Sequence, residues 1–493
     1  MLLALLSLCM QCALAFAPSD ALQWTVNWLT PTTEPGRSQG GKSTYQGAMP
    51  LGNGRLTVLG WANATSGGIG FYLGHQDAMS SNTDLFKLAL LQVSLSPSPF
   101  SQGSFFNQSL DLSTATLRLY AGGTSLSDYA VLFEAYVDAN ADQLLLSVAS
   151  RDPSKTYSLT ATLSSTRPAA RWQQQESFAD CAPVFNNPDV ALDPLPAAPI
   201  PLARPPPQSE AEKFRHATGA TRPQRALARL PPLAAFQPGS LIWYHRNAPE
   251  DGLTIPTTLT LQHLEALIPT TPDYWQDLQF GFALDAGAGA PLTRSSNTTL
   301  TSAAPGAAFS LRATVLAVQT DTVEEWVADL AALVAEGDAG AAGARSAHEA
   351  YWGGFWARSH IVVNASDPSP TSPAAQLNSM YAITRYTQVI QSRGTKWPIK
   401  FNGMAFVAAV GSNGEAEYRD WGASNWWQNT RLPYGAMLAA GDFDEFKVIL
   451  DYIANQEVLL GQRTLAYWNH TGMWTTETTH LSGAYDNTGA FLY

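Results

Sequence analysis

"FSLRATVLAVQTDTVEEWVADLAALVAEG", residues 309–337, changes its period halfway along. Up to Thr320 the apolar residues Phe309, Leu311, Ala313 and Val315 alternate with their neighbours, as in a strand with one buried face. From Val323 onward Trp326, Val327, Leu330, Ala331 and Val334 recur at helical spacing. The chain therefore divides at about residue 320 into a β part and a helical part.

Working back from this point, the same alternation recurs in short pieces. It runs from about residue 22 to 182 in "RLTVLGW", "GIGFYLG", "LALLQVSLS", "ATLRLYAG", "VLFEAYVD", "QLLLSVAS" and "YSLTATLSS". It returns after residue 240 in "SLIWYHRN", "TLTLQHLEAL" and "LQFGFALDA". Runs of this kind, broken by Gly, Ser, Asn and Pro, predict one large antiparallel β-sandwich over 18–320. Residues 183–239 carry "PLPAAPIPLARPPPQ" and "ARLPPLAAFQPGS", too much proline for a sheet interior. That stretch reads as a Pro/Ala-rich disordered insertion.

Working forward, residues 321–362 read as a helical linker with a break expected at Gly353–Gly354. Further helices are predicted at 370–392, 424–440 and 443–460, within a domain spanning 363–493. Eight of the fifteen tryptophans lie in residues 351–493, so the rings concentrate in this helical part.

The bulk composition narrows the class of partner. At 493 residues the chain calls for two or three domains. Charged residues are 14% and the net charge is −12, which leaves no basic stripe for nucleic acid. A neutral oligo- or polysaccharide fits better. The apolar start, with Ala13, Ala15 and Ala17, reads as a secretory signal over 1–17, and no later stretch is apolar enough to span a bilayer. Cys9 and Cys12 would leave with that signal, and Cys181 would remain without an intrachain partner. Glycosylation sequons at Asn63, Asn107, Asn297, Asn364 and Asn469 agree with a secreted or lumenal protein.

Histidine and cysteine spacing predicts no metal site, and no phosphate-binding or dinucleotide motif is present, so no cofactor is expected. What remains is rings, amides, guanidiniums and carboxylates. A sugar presents apolar faces that stack on tryptophan and hydroxyls that need forked partners. Residues 418–434 supply both: Tyr418, Arg419, Asp420, Trp421, Asn425, Trp426, Trp427, Gln428, Asn429, Arg431 and Tyr434. On a helix over 424–440, Asn425, Gln428 and Asn429 would share one face, and Trp427, Arg431 and Tyr434 another. Core tryptophans and a satisfied arginine are the competing reading. Among the carboxylates of this part, Asp442, Asp444 and Glu445 fit the acidic first turn of a helix. Glu477 lies between Trp474 and Tyr485, where enclosure by rings would suit a general acid, and a plain surface glutamate is the alternative.

A series of strings carries a family resemblance: "AMPLGNGRLTVLGW", "FYLGHQDA", "KLALLQVSLSPSPF", "FEAYVDAN", "LIWYHRN", "HEAYWGGFWARSHIVV", "PIKFNGMAF" and "YRDWGASNWWQNTRLPYGAMLAAGDFD". In this order they resemble the domain of unknown function 5703, a six-hairpin glycosidase-like family similar to the inverting α-L-fucosidases of glycoside hydrolase family 95. The resemblance implies a β-sandwich, a linker and an (α/α)6 barrel whose funnel holds the sugar. It implies roles for Glu477 as acid and for Asn429 and Asp420 in orienting water or sugar. Asn402, Trp421, Trp426, Trp427, Gln428, Arg431 and Tyr434 would then line the subsite. In the fucosidases two asparagines in an N-x-N motif assist the base; Asn429 matches one, and Trp427 stands at the other. Thr476 stands where the family has proline before its glutamate. An inverting pair of carboxyls would sit roughly 6.5–9.5 Å apart. The three or four helices expected before Tyr493 are fewer than the twelve of a whole barrel, so the barrel is expected to be incomplete. The expectations are thus a secreted inverting glycoside hydrolase, or else a catalytically inactive carbohydrate-binding protein or a fragment of a larger enzyme. A polysaccharide lyase fits less well with the acidic net charge.

Overall fold

The structure is a computed structural model that describes residues 25–31, 48–79, 85–164, 193–194, 236, 239–247, 254–287, 290–363, 369, 371–394, 397–399, 425–479 and 481–484. Two antiparallel sheets form its β part. The larger has nine strands in the order Thr25–Trp28, Phe106–Asp111, Thr116–Ala121, Val131–Val137, Gln143–Ser150, Ala308–Gln319, Leu278–Ala286, Leu241–Arg246 and Asp193–Pro194. The smaller has seven: Leu292–Arg294, Thr299–Ser302, Ser158–Ser164, Leu85–Ser96, Gly68–Met79, Leu56–Asn63 and Met49–Gly52. The strands on either side of the proline-rich stretch share both sheets, because Ala308–Gln319 pairs with Gln143–Ser150 on one side and Leu278–Ala286 on the other. Of residues 183–239, Asp193–Pro194 forms the outermost strand, where a missing N–H is tolerated. Phe236, near the end of that stretch, is also ordered, buried with Ile242 and Trp326, while the expectation of disorder for residues 195–235 falls outside the described residues.

Alternation in the quoted stretch decides what each side of the large sheet covers. Phe309, Leu311, Ala313 and Val315 join Phe133, Val148 and Phe282 in the main core, together with Val58, Phe71, Leu73 and Leu91 of the smaller sheet. Leu316 and Val318 point the other way, with Ile242, Tyr244 and Ala283. The outer face is closed by Trp326, Val327, Leu330, Ala331 and Val334. Each large side chain so buried contributes about 1.5–3 kcal/mol of transfer free energy.

Those closing residues belong to the long helix α2 (Val323–Arg358), which follows a short α1 (Thr254–Leu261). The strand expected from "TLTLQHLEAL" is therefore not formed: its first residues end α1, and Glu265–Thr270 is a 3-10 turn, with Leu259 and Leu264 buried in the main core. Thr322 caps α2 by accepting the Glu325 N–H at 3.2 Å, and Glu325 accepts the Asp321 N–H at 3.0 Å. The break expected at Gly353–Gly354 does not occur. Both glycines face open space while Trp352, Phe355 and Trp356 on the opposite side are buried, so packing holds the helix through them.

Helix α3 (Pro373–Val389) starts at a Ser372 cap with proline in its first turn. Its C-terminal end abuts the "PLGNGRL" turn of the sandwich. The Gly54 N–H reaches the Ile390 carbonyl at 3.1 Å, the Gln76 amide reaches that of Gln391 at 3.2 Å, and the Tyr386 hydroxyl donates to Pro50 at 2.9 Å. Carbonyls that a helix end leaves without partners are thus satisfied by the sandwich. The remaining helices are α4 (Trp427–Thr430), α5 (Leu432–Ala440), α6 (Phe443–Ala454) and α7 (Glu457–Trp468). The single helix expected over 443–460 is two, divided at Asn455–Gln456, and residues 425–426 are strand rather than helix.

His348 ties α2 to the sandwich. Its Nδ1 accepts the Ala139 N–H at 3.1 Å, so the proton sits on Nε2, which donates to the Thr114 carbonyl at 2.8 Å. Burial pushes its pKa from 6.5 down to about 4, against the pull of the Thr114 bond. Below pH 6.5 the unfolded chain takes up a proton that the folded one refuses, so this residue's stability is present above pH 6.5 and is lost down to about pH 4. The loss expected is roughly 3 kcal/mol. Urea unfolding from pH 7 to 4 should show it, and His348→Gln should flatten that part of the profile. An unchanged profile in the variant would refute the assignment.

Candidate functional site

A two-residue ladder pairs Asn425 with Thr479 and Trp426 with Thr478, carrying Glu477 to the start of α4. There the Glu477 carbonyl accepts the Trp427 N–H and its carboxylate Oε1 accepts the Gln428 N–H, each at 2.8 Å. Two first-turn N–H groups thus find partners across 49 residues of sequence, at the end of a helix where negative charge is favoured. Trp426 at the N-cap position offers no side-chain cap of its own. Trp427 is 41% exposed, and Gln428, Asn429 and Arg431 are exposed with it. The loop leading to Glu477 adds Trp474, whose ring lies 4.8 Å from that of the half-exposed Trp468. Glu477 itself is exposed, as the surface alternative had it, and is not enclosed by rings.

Other expected site residues go elsewhere. Tyr434 is buried in a small core with Ile399, Met437 and Ile449. Its hydroxyl accepts the Ile399 N–H at 2.7 Å and lies 3.1 Å from Ser392 Oγ, and burial raises its pKa to about 12. The face proposed for Trp427, Arg431 and Tyr434 is therefore divided between surface and core. Asn425 is buried in the ladder, so it shares no helix face with Asn429. Asp420, Trp421 and Asn402 lie outside the described residues. So do Asn364 and all three cysteines. Asn297 and Asn469 are exposed, while Asn63 and Asn107 are half-buried.

The acids at the start of α6 hold a network that local sequence could not show. Asp442 makes no side-chain cap; it receives Arg385 through both oxygens, at 2.6 and 2.9 Å, and Arg358 at 2.9 Å. Arg385 also donates to the Phe355 carbonyl at 3.2 Å and to that of Ser359. Glu445 is buried beside Arg358 and Tyr351, and burial raises its pKa. Asp444, by contrast, is exposed in the first turn. Among the described residues, no group of three or more His, Cys, Asp or Glu could hold a metal ion, and no helix is long and apolar enough to cross a membrane.

The family model for a domain of unknown function (DUF5703) matches residues 38–192 and 204–361. The chain belongs to the DUF5703 family. The match covers the sandwich apart from the edge strands Thr25–Trp28 and Asp193–Pro194, and it covers α2; the Glu477 ladder lies beyond it. No curated protein matches this DUF5703 chain. Among solved structures it is similar to "Putative kojibiose phosphorylase from human microbiome", with a TM-score of 0.52 and 9% identity. The alignment covers 94% of this chain and 52% of that one, so the chain spans about half the length of the structure it matches. At this identity the likeness is one of fold.

Proposed function

We propose that the chain forms the sandwich and the first part of an (α/α)6 barrel of a secreted glycoside-active protein, hydrolysing a neutral oligosaccharide with inversion. The observation that carries this reading is the Glu477 ladder. It sets a carboxylate at the start of a one-turn helix on which Trp427, Gln428 and Asn429, with Arg431 just after, are exposed. In this reading Oε1 of Glu477 is held by the helix start, and desolvation by the bound sugar, set against the charge preference of that position, lets Oε2 deliver a proton to the departing sugar oxygen. Trp427 stacks on a sugar face, and Asn429, Arg431 and Asp420 orient hydroxyls or water, while inversion requires a second carboxylate to take the proton of the attacking water. The likeness in fold to a putative kojibiose phosphorylase supports the reading at the level of fold alone.

The test is release of reducing sugar from a panel of neutral oligosaccharides, with the product anomer followed by NMR. Glu477→Gln keeps an acceptor for the Gln428 N–H yet removes the acid, and should lower the rate by about 100-fold or more. A rate unchanged in that variant would remove Glu477 from the chemistry. Absence of turnover, with oligosaccharide binding that is lost in Trp427→Ala, would establish the inactive carbohydrate-binding protein instead.

A further inference from the structure

We propose that the crevice between the second half of α2 and the strand Ala308–Gln319 is a separate binding site, for a neutral polyhydroxylated molecule of mono- to disaccharide size. The crevice encloses about 1110 Å³, ample for such a ligand. Its origin lies in the sequence of α2. Trp326, Leu330 and Val334 close the first half of the helix onto the sheet, but the wall then continues through Gly337, Gly340, Gly343 and Ala344. A Cβ added at Gly340 or Gly343 would meet nothing within 4 Å.

One end of the crevice is polar, and it draws on three of the family strings that the Glu477 site does not use: "AMPLGNGRLTVLGW" with Asn53 and Arg55, "FYLGHQDA" with His75 and Asp77, and "FEAYVDAN" with Asp138. Asp142 accepts from the Asn53 amide at 2.9 Å and from Arg55 Nε at 3.2 Å, with His75 Nε2 3.5 Å from its other oxygen. Burial alone would raise the Asp142 pKa; His75, Arg55 and Asn53 together hold it down to about 2. His75 is buried, and its Nδ1 accepts the Asp77 N–H at 3.1 Å, which leaves the ring proton on the nitrogen facing Asp142. The Arg55 side chain keeps 42% of its surface open. On the α2 side of its strand, Thr314 is buried with a hydroxyl that has no hydrogen-bond partner among the described residues. Asp77 and Asp138 add acceptors to the same wall. Acids outnumber bases here, which opposes an anion. A sugar hydroxyl can donate to the carboxylates and accept from Arg55, while its C–H faces lie along Leu316 and Val318.

The experiment is calorimetric titration of the full chain with glucose, maltose and cellobiose. Saturable binding of at least one is expected to persist in Trp427→Ala and to weaken at least tenfold in both Gly340→Leu and Gly343→Leu. Each leucine fills the crevice from a helical position and replaces a poor helix former, so the melting temperature should hold or rise. Binding unchanged in both leucine variants, binding lost only in Trp427→Ala, or no binding of any of the three sugars would overturn the proposal. Loss in Trp427→Ala alone would leave the Glu477 site standing, so the two readings fail separately.

Discussion

Replacing Arg385 with methionine will lower the free energy of unfolding by about 3–5 kcal/mol. The guanidinium and the Asp442 carboxylate are both almost fully enclosed, with side-chain exposures of 5% and 4%. Arg385 lies over the Phe355 ring at 4.0 Å, so one face of it packs while its edge donates to Asp442 and to two backbone carbonyls. Taking the arginine away leaves Arg358, itself a third exposed, as the partner of the Asp442 charge. The same loss leaves the Phe355 and Ser359 carbonyls without this donor at the end of α2. Urea unfolding at pH 7 reads the effect. The double variant Arg385→Met with Asp442→Leu should recover much of the loss, since an apolar pair in place of a buried ion pair is often neutral. A single variant within 1 kcal/mol of the parent would show that Asp442 is solvated.

Gly54→Ala should cost about 3 kcal/mol or more, the second large effect. Gly54 has φ +103°, a conformation that a side chain strains, and its added Cβ would lie 2.5 and 2.6 Å from the Arg393 backbone. Its N–H also satisfies the Ile390 carbonyl, so any shift loosens the contact between the sandwich and α3. Gly353→Ala is the contrast: that glycine is helical and faces open space, and the change should add about 0.5–1 kcal/mol. Comparing the midpoints of urea unfolding for the two variants checks both signs. A mild Gly54→Ala would mean that the turn and α3 are not closely docked.

The β part was legible because its signals are local. Residues 309–319 alternate, and Phe309, Leu311, Ala313 and Val315 enter the main core as that alternation requires; the partial covering of Leu316 and Val318 by α2 on the other face goes beyond the one buried face that the alternation implies. The glycine pair at 353–354 points to a break, yet its local cost is overridden by the burial of Trp352 and Trp356. In the site, Trp427, Gln428, Asn429 and Arg431 stand exposed as a row, whereas Tyr434, three residues after Arg431, is in the core. Helical spacing assigns residues to faces, but which face meets solvent depends on what packs against it. Glu477 was chosen for the rings near it in sequence, and its observed partner is a backbone N–H 49 residues away.

The sequence by itself determined the change from sheet to helix near residue 320, most of the strands on both sides of the proline-rich stretch and the shortage of charge. Period, proline content and composition are properties of neighbouring residues, so they can be read along the chain. Only the tertiary structure decided that Asp442 holds Arg385 rather than a helix end, that Asn53, Arg55 and His75 converge on Asp142, and that Glu477 meets the start of α4. Each of these joins groups 49 to 89 residues apart. Their attraction depends on burial and direction, and both exist only once the chain has folded.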